Sequence, residues 1–474
     1  IKKSPILYLK YQPLEENMLM VILICILCGV WAWSKRKTNQ NEPPAFPGAL
    51  PLIGHAHLLI GDISYLYTFF IVVTDPDDLL TVANTCLQKD GFYDFAKPWF
   101  GEGLVTATLS IWKVHRRLLN PAFSKVVLDS YVEVFNKQSR RLVKDLEEEI
   151  GKGEFDHLVY TRHNALGTIY FTDKNVLNSQ YVNAAEQMFN LFIERFKKVW
   201  LHNNFIYKKE ERLLILRPLV EVISYHFKNH DFCKLILQID FSFTGPNFKP
   251  FMDLLLELSI EKGAFNDREI REHVDTMIVS GHDTTARVLM YSMLLVGSYP
   301  QVQERIFEEL NNVFGDDDRD VTKHDLTQLF YLEAVLKETI RLYPIVPVAI
   351  RYLDKDVKLR NCTLTKGRNC MMLIYGVHRH PMWGPDVEEF KPERWLDPLT
   401  LPECPTVFAG FSVGRRICIG KSFAYMSMKI TLAHLFRHYK VKGDHTKLKT
   451  KIDVMLRPVS GYYISIERRK ILIY

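Results

Sequence analysis

Cysteine is sparse in this 474-residue chain, with eight residues at positions 25, 28, 86, 233, 362, 370, 404 and 418. Only Cys25 and Cys28 form a C-x-x-C pair, and both lie in an apolar run where a zinc or redox site is implausible. No spacing resembles a disulfide framework, which favours a reducing compartment. Net charge is equally modest: Lys+Arg 61 against Asp+Glu 55 leaves +6. That excess is too mild and scattered for nucleic-acid binding and suits a local docking face better. Internal repeats and low-complexity segments are missing, and only one long apolar run exists, so disordered, collagen-like and many-span membrane classes are excluded. What is there, 47% hydrophobic and 12% aromatic residues, supplies ample material for a large core. The length fits about three average domains, or one large and mostly helical enzyme domain.

The apolar run is Met18 to Trp33, preceded by Glu15 and Glu16 and followed by Lys35-Arg36-Lys37. Its length overlaps a short membrane span and a signal-peptide core. Trp31 and Trp33 suit a membrane interface, and basic residues follow in place of a small-x-small cleavage site. The reading is a retained anchor with the basic side, and everything after residue 34, in the cytosol. A cleaved signal is the alternative. The sequence begins at Ile1, and Met18 reads as the natural start. Pro43, Pro44, Pro47 and Pro51 then form a stiff spacer that resists helix and sheet.

From residue 85 onward helical periodicity dominates. Segments 126–150, 184–200 and 301–314 alternate apolar and charged residues at three-to-four spacing. Short extended runs are expected at 71–74, 357–359 and 371–374. The longest helical pattern covers 267–298, with Asn266 as cap and Glu269 three residues on. Its centre, Ser280-Gly281-His282-Asp283-Thr284-Thr285, gathers poor helix formers and invites a local distortion where a ligand or water inserts. A merely tolerated kink is the plainer alternative.

The strongest signal is Phe411-Ser412-Val413-Gly414-Arg415-Arg416-Ile417-Cys418-Ile419-Gly420. Cys418 lies in a loop flanked by Gly414 and Gly420, just before an amphipathic helix from Lys421 to about Tyr439. Glycines permit close approach to a flat ligand. The helix N-terminus and nearby Arg416 are expected to stabilise a thiolate, as a metal-bound sulfur requires. Upstream, Glu338 and Arg341 share a helix face and can pair, with Arg394 of Phe390-Lys391-Pro392-Glu393-Arg394 sharing the carboxylate.

The cysteine loop matches the F-x-x-G-x-R-x-C-x-G pattern and resembles the haem-binding loop of the cytochrome P-450 superfamily. Glu338-Thr339-Ile340-Arg341 is similar to its E-x-x-R motif, and Phe390 to Arg394 to its F-x-P-E-R segment. Trp112-Lys113-Val114-His115-Arg116 resembles the W-x-x-x-R helix motif. The likeness runs from about Pro47 to about Arg468. Val274-Asp275-Thr276 with Gly281-His282-Asp283-Thr284-Thr285, Asn120-Pro121-Ala122-Phe123-Ser124 and Val377-His378-Arg379-His380-Pro381 resemble the family-4 clan of microsomal enzymes, many of them from insects.

The resemblance implies a mainly α (α+β) cytochrome P-450 fold: a large helical domain with small sheets around a buried haem. The expected organisation is an anchor at 18–33, a basic stop and hinge at 34–54 and a haem-thiolate catalytic domain at 55–474. Cys418 becomes the axial iron ligand. Trp112, Arg116, Arg351 and Arg416 become haem-binding residues that hold the propionates, with Phe411, Gly414 and Gly420 shaping the haem loop. Asp283 and Thr284 become an acid–alcohol pair for proton delivery, and Glu338, Arg341 and Arg394 a buried structural ion cluster. The implied reaction inserts one oxygen atom from O2 into a lipophilic, fatty acid-like or xenobiotic substrate. Its partners are haem b, NADPH through cytochrome P-450 reductase, and cytochrome b5 as an optional second donor, at the endoplasmic reticulum membrane. Lys113, His115, Arg117, Arg415 and Lys421 are expected to form a basic face for an acidic reductase.

Two rival readings stay open at the level of sequence: a haem-thiolate isomerase or dehydratase, and an inactive lipophile-binding protein. The second draws on shortened segments between Gly54 and Asp75 and around Leu166–Asp173. Many family-4 enzymes carry a glutamate, ester-linked to the haem, where this chain has Ser280. The haem is therefore expected to be held without a covalent link apart from the Cys418–iron bond.

Overall fold

A computed structural model describes residues 70–170, 178–202, 207 and 251–469. The expected anchor and hinge lie outside them, as does most of the shortened segment between Gly54 and Asp75. Among the described residues no helix is long and apolar enough to cross a membrane.

The principal helices are α1 (Pro76–Thr85), α2 (Leu109–Leu119), α3 (Lys125–Ser130), α4 (Val132–Leu146), α5 (Leu158–Tyr170), α6 (Asn178–Lys197), α7 (Phe251–Lys262), α8 (Asp267–Ser298), α9 (Pro300–Phe314), α10 (Phe330–Leu342) and α11 (Lys421–His438). The largest sheet has three strands, with β5 (Asn369–Leu373) central, parallel to β1 (Phe70–Val73) and antiparallel to β2 (Val348–Tyr352). Two-stranded pairs join β3 (Val357–Lys358) to β4 (Thr363–Leu364), β6 (Tyr439–Gly443) to β9 (Ile464–Arg468), and β7 (Lys449–Ile452) to β8 (Leu456–Ser460). This is the expected helical domain with small sheets.

Local chemistry explains where the site-bearing helices begin. In α8, Asn266 Oδ1 accepts from the Glu269 amide at 3.0 Å, and Glu269 Oε2 accepts from the Asn266 amide at 3.0 Å, a complete capping box. Pro76 and Pro300 open α1 and α9, where a missing N–H costs nothing. The expected distortion in the centre of α8 does not occur, and the helix runs unbroken through Ser280–Thr285. Burial of most of the side chains along it outweighs the weak propensity of those six residues. Likewise the pattern at 126–150 is two helices, because the chain breaks at Tyr131.

Helix α8 serves two cores at once. Its second half, from Ala286 to Val296, packs with Phe135 and Leu142 of α4, Leu332 and Leu336 of α10, and Leu432 and Phe436 of α11. Its first half, with Val274 and Ile278, packs with Trp99, Phe100, Trp112 and Leu255. The residues between the two halves therefore sit at the centre of the domain.

Candidate active site

The cysteine loop is shaped by backbone bonds. The Ser412 amide donates to the Ala409 carbonyl at 2.7 Å, and the Cys418 amide donates to the Phe411 carbonyl at 3.0 Å. Gly414 has a φ of 71°, and a Cβ there would stand 2.9 Å from the Ala83 methyl, so glycine lets the loop sit against α1. Gly420 has ordinary angles, and a Cβ would meet only the Cys418 sulfur and the Phe123 ring at 4.0 Å. Phe411 lies 5.0 Å from the Tyr425 ring and packs on the main core.

Cys418 is exposed by surface area, yet burial is the main influence on its acidity and raises its pKa. Both hold if the sulfur faces a cleft inside the protein. The Gly420 amide and the charges of Arg116 and Lys421 oppose the rise. Arg416, expected to perform that task, instead stacks over the Trp112 ring at 4.1 Å.

One stripe of α8 is open to a cleft. Ser280 is exposed and Met277, Gly281 and Thr284 are half-buried, while Ile278, Val279, His282, Asp283 and Thr285 are buried. This three-to-four spacing defines a single helix face. Met277 on that stripe and Ile419 beside Cys418 pack against the same apolar cluster.

Beside the cysteine loop the structure gathers three arginines. Arg416 is 8% exposed, and none of its guanidinium nitrogens has a hydrogen-bond partner. Arg351 on β2 is 2% exposed; it bonds its neighbour's carbonyl, and its Nε has no partner. Arg116 donates to Asn120 Oδ1 at 2.8 Å and to the Ile417 carbonyl at 2.9 Å. Burial, then repulsion from Arg351 and later Arg116, pulls the pKa of Arg416 down to about 9. Among the described residues no carboxylate figures in the environment of these three charges. Buried guanidinium groups without counter-ions are costly, and the arrangement calls for an anion.

Asp283 and Thr284 are neighbours on different faces. Asp283 receives Arg287 Nε at 3.1 Å and Arg162 Nη2 at 3.4 Å. Burial raises its pKa, but Arg287, His282 and Arg162 together hold it down at about 2, so it is a carboxylate. Thr284 lies on the open stripe and donates its hydroxyl to the Ser280 carbonyl.

Glu338 accepts from Arg341 at 2.8 and 2.7 Å, from Arg394 at 2.9 Å and from the Trp395 indole at 2.9 Å. All three charged side chains are at most 3% exposed. Arg341 also donates to the Val387, His378 and Glu389 carbonyls, so its fork is saturated.

His115 does not belong to a basic surface. It is 7% exposed, and its Nδ1 lies 2.9 Å from His273 Nε2 on α8. Burial lowers its pKa, against the pull of Glu269, Glu102 and Glu272. Lys113, Arg117, Arg415 and Lys421 are exposed. Sequence reasoning also gave no role to Arg162 and Arg287, which hold Asp283, or to His378. The spacing of Asp283 and Arg287, four apart on a helix, carried a readable signal; Arg162 lies on another helix and carried none.

A family model for cytochrome P450 matches residues 70–465. The chain is 31% identical to human cytochrome P450 4V2, over 94% of both chains. It is 29% identical to Drosophila melanogaster cytochrome P450 4c3, over 97% of this chain and 95% of that one. A cytochrome P450 crystal structure (CYP102L1) shares the fold with a TM-score of 0.71 at 20% identity, covering 84% of this chain and 89% of its own. With a matched family model over most of its length and family-4 members among its relatives, the chain belongs to the cytochrome P450 family and is a haem-thiolate monooxygenase.

Proposed function

We propose that the chain inserts one oxygen atom from O2 into a lipophilic, fatty acid-like or xenobiotic substrate, with electrons drawn from NADPH through a reductase. The observation that carries this reading is the buried Arg416 guanidinium, stacked on Trp112 and without a hydrogen-bond partner, two residues from the exposed Cys418. The donor set suits haem b: one thiol at the cleft, and Arg116, Arg351 and Arg416 with the Trp112 indole for two carboxylates. When bound, haem with a thiolate ligand supplies O2 activation and a push toward O–O cleavage.

Each residue then has a task. Cys418 is the iron ligand, since a coordinating thiol is deprotonated outright by its metal. Phe411 and Gly414 fix the loop that presents it, and Gly420 leaves space beside the sulfur. Glu338, Arg341 and Arg394 hold the segment that leads into the loop.

Thr284 presents its hydroxyl on the cleft wall, where it can orient water. Asp283 is held ionised on the buried side, so it acts as a proton acceptor in a relay. The longer contact, from Arg162, is the one that opens to let Asp283 turn, because Arg162 has a second anchor in Glu186. Met277 and the cluster of Trp99, Phe100, Val274 and Val279 give the cleft apolar neighbours, as a lipophilic substrate requires.

Lys113, Arg117, Arg415 and Lys421 offer an exposed basic face near the cysteine loop for an acidic reductase, with cytochrome b5 as an alternative donor. An anchor at 18–33 would hold the domain on the cytosolic side of the endoplasmic reticulum membrane. The test is NADPH-dependent O2 uptake with a supplied reductase and a lipophilic substrate. Uptake matched by oxygenated product supports the reading; the absence of both overturns it.

A further inference from the structure

Loops normally run over a protein's surface. The segment 101–107, which leads into α2, does not: Gly101, Gly103, Leu104, Thr106 and Ala107 are all buried. Helix α8 draws it inward. The Glu102 amide donates to Glu272 Oε2 at 2.8 Å. A Cβ on Gly103 would stand 2.0 Å from the Thr276 hydroxyl and 2.7 Å from the Glu272 carbonyl oxygen, so glycine is what permits the approach. The segment is also braced from within, since the Thr106 hydroxyl donates to the Gly101 carbonyl and the Ala107 amide to the Gly103 carbonyl, each at 2.8 Å.

Its exit into α2 is tied as well. Glu102 Oε2 accepts from the Thr108 amide at 2.9 Å, just before that helix begins. Farther along α2, His115 faces His273 of α8, and the Phe265 ring covers the pair at 4.9 Å from one and 5.1 Å from the other. Glu272 and His273 are consecutive residues, one holding the segment and the other the helix that follows it. Both are at most 3% exposed. The ion-pair partner of Glu272 is Arg268, a surface side chain at 2.8 Å. Burying a carboxylate is costly, and here the bond to the segment's backbone offsets part of that cost.

The wall fixed in this way borders the cleft. Leu104 and Phe100 belong to the apolar cluster against which Met277 of the open stripe packs. Space held by the wall is denied to a ligand. A slender chain leaves the wall in place, whereas a broad ring system needs it to retreat, and retreat breaks the bonds to Glu272 and His273. We propose that Glu272 and His273 determine the width of ligand that the cleft accepts, by fixing the 101–107 wall and α2 to α8. They act through the wall, as positioning residues. The inference rests on the haem-thiolate reading above.

The test uses two probes with the same iron-binding group and different breadth, decylimidazole and tritylimidazole. Their Kd values are read from the Soret shift of wild-type, Glu272→Ala, Glu272→Gln and His273→Phe holoenzymes, with Glu308→Ala on the outside of α9 as a control. Specificity is a difference of affinities, so the quantity of interest is the ratio of the two Kd values. Glu272→Ala and His273→Phe are expected to move that ratio about tenfold toward the trityl compound, the effect of about one lost buried hydrogen bond. Glu272→Gln keeps an acceptor for the Glu102 amide and should retain the wild-type ratio, as should Glu308→Ala. Hydrogen exchange of the Gly103, Thr106 and Ala107 amides should quicken in Glu272→Ala and not in Glu272→Gln. An unchanged ratio in both Glu272→Ala and His273→Phe would overturn the proposal. So would equal shifts in Glu272→Ala and Glu272→Gln, or loss of haem from both Glu272→Ala and His273→Phe, which would mark these residues as serving folding alone. A wild-type protein whose Soret band responds to neither imidazole would instead overturn the haem-thiolate reading.

Discussion

The Ala409 amide donates to Nε2 of His378 at 2.9 Å. Since Nε2 accepts, the ring proton sits on Nδ1, which donates to the Arg341 carbonyl at 3.0 Å. One neutral imidazole, fully buried and stacked on Phe408, therefore links the Glu338–Arg341 cluster to the entry of the cysteine loop. Burial drives its pKa down to about 3, which keeps it in the neutral form this arrangement needs.

Replacing His378 by Phe keeps the stacking and leaves two buried backbone groups unpaired, at about 1–3 kcal/mol each. The variant should unfold at lower denaturant and convert more readily from a thiolate-type to a non-thiolate CO spectrum. An unchanged unfolding midpoint would show that the link is dispensable.

Acid should destabilise the protein above the pH at which ordinary carboxylates titrate, offset in part by Asp275, whose pKa burial raises to about 7. His157 is held at about 4, and His273, His378 and His434 at about 3, in each case chiefly by burial. A depressed histidine takes up its proton in the unfolded state first, so stability is fully present above about pH 6.5 and declines as pH falls toward 3. Asp283, held at about 2, adds a further loss below about pH 4. Melting temperature against pH is the measurement, and His273→Gln should flatten the slope between pH 6 and 4.

Glu338→Gln should be far more damaging than any surface change. It leaves Arg341 and Arg394 buried without a counter-charge, a loss of about 3–5 kcal/mol. Expression of soluble, haem-loaded protein should fall sharply. A stable, fully loaded variant would contradict the structural role of the cluster.

How much of this was readable from the chain depends on distance along it. The Asn266–Glu269 cap and the Glu338–Arg341 pair are three residues apart and follow from helix geometry. The loop around Cys418 is a continuous stretch and shows its own glycines. By contrast, the His378–Ala409 link, the Arg162–Asp283 pair and the stacking of Arg416 on Trp112 join remote segments, and nothing local records them. His115 looked like part of a basic surface because its neighbours are Lys113 and Arg117; only the partner on α8 shows it facing inward. Strands β6 and β9 bury Tyr439, Val441, Ile464 and Ile466 in alternation, but five residues each is a short signal beside a long helix.

Thr284→Ala should keep haem and the CO spectrum while uncoupling turnover, with O2 consumed and peroxide released in place of product. The hydroxyl lies on the cleft wall and takes no part in holding the loop. Product formed in full proportion to O2 would place the proton path elsewhere.

Ser280 offers a hydroxyl to the cleft, and Asp283 close by is engaged by Arg287 and Arg162. No carboxylate of the open stripe is free to form an ester, so acidic organic solvent should extract unmodified haem b. Haem that stays with the polypeptide would refute this, and Ser280→Glu provides the converse experiment.

The central claim is that Cys418 supplies the thiolate for a bound haem. The most direct measurement is the reduced CO-difference spectrum of the wild-type protein beside Cys418→Ala. The account predicts a Soret band at the thiolate-haem position in the wild type and its loss in the variant, because Cys404, the nearest other cysteine in sequence, is bonded to Asp77 and Thr406. A thiolate band that survives in Cys418→Ala, or none in the wild type, would contradict it.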